Sequence, residues 1–120
     1  MTVKNALESL KYTDREIESY EGIKHQTIEL YESVGYESDT LHQMISYTNE
    51  RIAATQSHHD YWSQLIQQLE DDRYRDVLTF RYIDDCTVEE VAEKLFYGVR
   101  HINKLTNDGI ISLSQAHHEA

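Results

Sequence analysis

Thr87-Val-Glu-Glu-Val-Ala-Glu-Lys-Leu95-Phe-Tyr-Gly98-Val-Arg-His-Ile-Asn-Lys-Leu105 is the most informative stretch of the chain. Thr87 followed three residues later by Glu90 has the form of a capping box, in which each side chain binds a backbone N–H of the first helical turn. A short helix is expected from there to about Leu95. A second is expected from about Gly98 to Asn107, with Gly109 placed to end it. Val91, Ala92, Leu95, Ile102 and Leu105 have the spacing with which a helix-turn-helix buries its core, and the small Ala92 falls where the two helices cross closely. The second helix then points Val99, Arg100, His101, Asn103, Lys104 and Asn107 outward, a set rich in donors suited to base edges and phosphates.

Upstream of this motif, Glu70-Asp71-Asp72 offers a cap and first-turn acids for another helix, with Tyr74, Val77, Leu78 and Tyr82 facing inward. Before it, Leu41, Ile45, Thr48, Ile52, Thr55, His59, Trp62, Ile66 and Leu69 recur in steps of four and three, the pattern of a coiled-coil seam. From Val3 to Tyr31 a looser stripe of Val3, Leu7, Leu10, Ile17, Ile28 and Tyr31 predicts one long helix, widened at Tyr20 and Ile23, with Gly22 as its weak point. Gly35 as a C′ glycine and Ser38, Asp39 and Thr40 as capping side chains predict a short loop joining the two helices into an antiparallel hairpin. The expected organisation is therefore all-α: a helical hairpin over 1–69 for oligomerisation or partner contact, a three-helix domain with a helix-turn-helix over 70–113, and a frayed tail over 114–120.

Composition agrees with that class. The 120 residues are 39% apolar, enough for one domain or one domain with a helical extension, and no proline with four glycines leaves too little turn chemistry for an all-β fold. A lone Cys86 excludes an intramolecular disulfide and a thiolate metal cluster. The N-terminal residues lack the apolar run of a signal peptide, and no stretch approaches the length of a membrane span, so a soluble cytoplasmic protein without membrane contact is expected. The net charge is −11, with eleven acids against five Lys/Arg in residues 1–69 and eleven against six in 70–120. Such a balance opposes non-specific nucleic-acid binding, which needs a basic surface. Yet Lys94, Arg100 and Lys104 stand between Lys94 and Leu105 with no acid among them, a local +3.

The stretch Leu69-Glu-Asp-Asp-Arg-Tyr-Arg-Asp-Val-Leu-Thr-Phe-Arg-Tyr-Ile-Asp-Asp85, then Thr87 to Leu95, then Val99 to Leu105, resembles the region-four DNA-binding domain of bacterial sigma factors over about residues 65–113. Val77, Leu78, Arg81 and Tyr82 match that family's VLxLRY helix, and Thr87, Glu90, Val91 and Ala92 match its S/TxxEIA helix. With an acidic helical N-terminal half in so small a protein, the chain looks like the phage-encoded sigma-like regulators of the ArpU and RinA type, found in phages and prophages of Gram-positive bacteria. The resemblance implies transcriptional control of phage genes. Arg100, His101, Asn103 and Lys104 would enter the major groove of double-stranded DNA, and Lys94 and Arg81 would approach phosphates, in a protein acting as a dimer, with RNA polymerase as a further candidate partner. Two departures matter. The family's turn glycine is here Phe96, which in a left-handed conformation costs roughly 1–2 kcal/mol, so the turn is expected to be reshaped around Gly98, with the Phe96 ring filling space against the preceding helix. Asp84, Asp85, Glu89, Glu93 and Asp108 flank the candidate helix and would repel phosphates.

Other chemistries find less support. His58, His59, His101, His117 and His118 show no i, i+4 pair of the kind that builds a helical zinc site, and no carboxylate-rich motif accompanies them, so neither metal nor cofactor is expected. Cys86 has no partner motif and there is no nucleophile elbow, so no enzymatic activity is expected. Two alternatives stay open: an acidic adaptor that binds RNA polymerase or a host protein without DNA contact, and a small DNA-packaging subunit of the terminase kind.

Overall fold

The computed structural model describes residues 2–34 and 38–119. Among them every regular element is helical: α1 (Val3–Leu10), α2 (Thr13–Val34), α3 (Asp39–Gln67), α4 (Asp72–Leu78) with a π-helical continuation (Thr79–Ile83), α5 (Val88–Leu95) and α6 (Val99–Glu119). The all-α class is thus as the sequence indicated. The chain forms two compact units, one of Tyr12–His59 and one joining Met1–Lys11 to Asp60–Ala120.

The Tyr12–His59 unit pairs α2 with the first part of α3. Tyr31 lies by His42, their rings 6.5 Å apart, and the Arg51 side chain reaches the Tyr20 hydroxyl at 3.4 Å, so rising numbers on one helix meet falling numbers on the other. That pairing is antiparallel, as the hairpin reading requires. The Ser38 hydroxyl accepts from the Leu41 N–H and opens α3; Gly35, expected to close the preceding helix, lies outside the described residues. Gly22 does not interrupt α2, and a Cβ added there would meet nothing. Of the predicted seam, Thr48 and Ile52 are buried and Leu41, Ile45 and Thr55 half-buried. Thr27 and Thr48 are buried because their hydroxyls donate back to the carbonyls of Ile23 and Met44, at 2.7 and 2.8 Å, which satisfies the polar atom within its own helix.

The predicted single helix from Val3 to Tyr31 is broken at Lys11-Tyr12. Thr2 caps α1 by accepting from the Asn5 N–H, and α2 restarts with acids Asp14 and Glu16 in its first turn. The signal available for this start was the pair of first-turn acids Asp14 and Glu16, which complement a helix N-terminus. The consequence is that α1 belongs with the C-terminal part of the chain. Ala6, Leu7 and Leu10 form a core with Trp62, Leu65, Ile66 and Leu69 from the end of α3 and just beyond it, with Leu78 and Tyr82, and with Leu113 of α6. The compact units therefore do not divide at 69/70 as expected from the sequence.

A second core lies under the helix-turn-helix: Val77, Val91, Ala92, Ile102 and Leu105, with Leu95, Phe80 and Val88 against it. Helix α6 does not stop at Gly109 but runs to Glu119. Gly109 is buried, and a Cβ there would sit 3.3 Å from the Leu78 side chain and 3.4 Å from that of Tyr74, so the glycine serves close packing of α6 on α4. Up to Glu119 the expected loose tail is helical, for the same reason that α6 is long. Leu113 is fully buried, Ala116 packs on the first core, and the Tyr61 hydroxyl and His117 Nδ1 are hydrogen-bonded at 2.6 Å.

Candidate nucleic-acid interface

The helix-turn-helix is assembled by local chemistry first. Asp71 caps α4 by accepting from the Arg73 N–H, and the Arg73 guanidinium grips the same carboxylate at 2.9 and 3.2 Å. That grip holds the Asp71 carboxyl below the usual carboxylate range. Thr87 accepts from the Glu90 N–H at 3.2 Å while the Glu90 carboxylate accepts from the Thr87 N–H at 3.1 Å, the full capping box. The backbone bond to Thr87 lowers the pKa of Glu90 likewise. Between these helices Asp84 and Asp85 are exposed and Cys86 half-buried, with Asp85 at a positive φ of 54°. Burial pushes the Cys86 thiol up, away from the reactive thiolate.

The turn itself pivots on Phe96, not on Gly98. Phe96 is left-handed at φ 60° and ψ 36° and sends its N–H to the Ala92 carbonyl, and the Tyr97 N–H binds the same oxygen at 3.1 Å. Gly98 then supplies the carbonyl that accepts the Ile102 N–H at 3.1 Å and starts α6. Phe96 was expected to fill space against the preceding helix. It is instead 93% exposed, so the ring packs on nothing that would offset its backbone cost.

In the first half of α6, Ile102, Leu105, Thr106 and Gly109 face the core. At 3.6 residues per turn this puts Arg100, Lys104 and Asn107 at the middle of the opposite face, Asn103, His101 and Asp108 on its flanks, and Val99 nearer the core side. All of these but Asp108 are exposed. Arg100 and Lys104, one turn apart, have no ion-pair partner among the described residues. The Tyr97 ring stacks on His101, centroids 4.5 Å apart and planes 27° apart, and so braces the first turn. Lys94 is exposed on α5 with its amino group 5.5 Å from the Phe80 ring centre. Arg81 is half-buried on the π-helical segment, its guanidinium 5.8 Å from the Tyr82 ring and its Nε buried without a hydrogen-bond partner. Asp84, Asp85, Glu89 and Glu93 are exposed nearby in sequence and Asp108 half-buried.

Among the described residues no group of three or more His, Cys, Asp or Glu is placed to hold a metal ion. None of the described helices is long and apolar enough to cross a membrane. Comparison of the chain with known protein families, with curated proteins and with solved structures gives no match.

Proposed function

We propose that this chain is a DNA-binding transcriptional regulator of a phage or prophage, working in the cytoplasm of its bacterial host. It reads the major groove with the exposed face of α6. The observation that carries this reading is the exposed stripe of Arg100, Asn103, Lys104 and Asn107 on the second helix of a helix-turn-helix, bordered by the half-buried Asp108, in a chain whose net charge is −11. Two unpaired cations one turn apart, flanked by two asparagines, supply donors for both phosphates and base edges. Lys94 is exposed and suited to a phosphate; Arg81 carries a second cation on the preceding helix.

The protein acts as a homodimer through the α2–α3 hairpin in this reading. Ile23, Leu30 and Val34 on α2 and Met44 and Tyr47 on α3 are large apolar residues left exposed, and Tyr20, Ile23, Met44 and Tyr47 line an open apolar groove. A second hairpin laid on this surface makes a four-helix bundle. Selection from random duplexes, followed by titration at rising salt, tests the proposal. Affinity should fall log-linearly with salt. Absence of binding at low salt would favour the second reading, an acidic adaptor for RNA polymerase or a host protein, for which the −11 charge is the supporting observation.

A further inference from the structure

Phe96 combines two features that folding alone does not reward. Its backbone is left-handed, where a glycine would be unstrained, and its ring stands in water at 93% exposure. It is not isolated. Tyr97 is 38% exposed and Val99 42% exposed, so three apolar side chains cluster in sequence at the start of α6, with Tyr97 braced by its stack on His101. Along the chain the tip lies in an acid-free run from Lys94 to Asn107 that carries Lys94, Arg100 and Lys104, with the exposed Glu93 just before it. An occupant of this tip must therefore offer apolar points beside negative charge.

The major groove of DNA offers both, in the 5-methyl groups of thymine and the flanking phosphates, and phenylalanine is among the side chains that meet thymine methyls. The start of the second helix is also the part of a helix-turn-helix that meets base edges. We infer that Phe96, with Val99 beside it, is a specificity contact that selects thymine through its methyl group at the edge of the recognised site. The inference rests on the DNA-reading proposal and adds the kind of base read.

A duplex selected by the wild-type protein supplies the test, with each thymine replaced in turn by deoxyuridine, which lacks only the methyl. Wild type should lose about fourfold in affinity at one or two positions, the worth of one buried methyl group. Phe96→Gly should bind the thymine duplex correspondingly more weakly and not distinguish thymine from uracil there. Since Phe96 packs on nothing, this variant should fold at least as well as wild type, which a melting curve checks. Equal wild-type affinity for thymine and uracil at every position would overturn the inference while leaving DNA reading intact. No binding of the wild type to any duplex would overturn both. Binding of an acidic amphipathic peptide by wild type but not by Phe96→Gly, with no thymine effect on DNA, would also overturn it by assigning the tip to a protein partner.

Discussion

Phe96→Gly removes a left-handed phenylalanine and exposes no core, so it should raise stability by about 1 kcal/mol. Chemical denaturation measures this, and a loss of stability would show that the ring has a folded-state partner. The position of Phe96 at the turn was legible in the sequence, because it stands where the resembled family has glycine. Its exposure was not legible, since exposure depends on where the neighbouring helix runs. Trp62 illustrates the opposite case. The heptad steps alone put it on the buried stripe, and it is 6% exposed, with its ring centre 4.8 Å from that of His117. Trp62→Ala should cost about 3–5 kcal/mol, and wild-type thermal stability in that variant would refute its place in the core.

At the scale of elements, side chains that cap were readable and glycines were not. The Thr87 to Glu90 box starts α5 where its signature lies, whereas the start of α2 at Thr13 carries only first-turn acids and the apolar stripe continues through it. Gly109 reads as a helix end by sequence because glycine favours C′ positions. Only the approach of Leu78 to 3.3 Å reveals that it is there for packing. Gly109→Val should therefore lower stability by about 1–3 kcal/mol through overpacking, and an unchanged melting temperature would contradict that contact. The caps also set an acid response. Asp71 and Glu90 have folded-state pKa values below their unfolded ones, so their stabilisation is present above the unfolded carboxylate range and is lost as pH falls through the folded values. Melting temperature should drop on acidification. Glu90→Gln, which keeps a capping side chain without the charge, should show a shallower drop; an identical acid profile would remove Glu90 from the account.

For the whole molecule, the two compact units differ in how they are held. The unit containing the helix-turn-helix has two apolar cores, whereas among the described residues of Tyr12–His59 the buried ones are Thr13, Thr27, Thr48 and Ile52. The hairpin has little apolar burial and an apolar groove on its surface, and if the proposed homodimer forms there, Met44→Glu with Tyr47→Glu should shift sedimentation to monomer, whereas an unchanged profile would contradict that interface. The all-helical class and the buried set of the helix-turn-helix followed from periodicity. The membership of α1 did not, because it depends on contacts distant in sequence. The central claim is that the outward face of α6 reads DNA. Its most direct test is binding of Arg100→Ala, Lys104→Ala and the double variant to a wild-type-selected duplex across a salt series. Arg100→Ala should cost about 1–3 kcal/mol and relax preference at one position, while Lys104→Ala should weaken all sequences alike and flatten the salt slope by about one. Wild-type affinity and salt slope in the double variant would contradict the account.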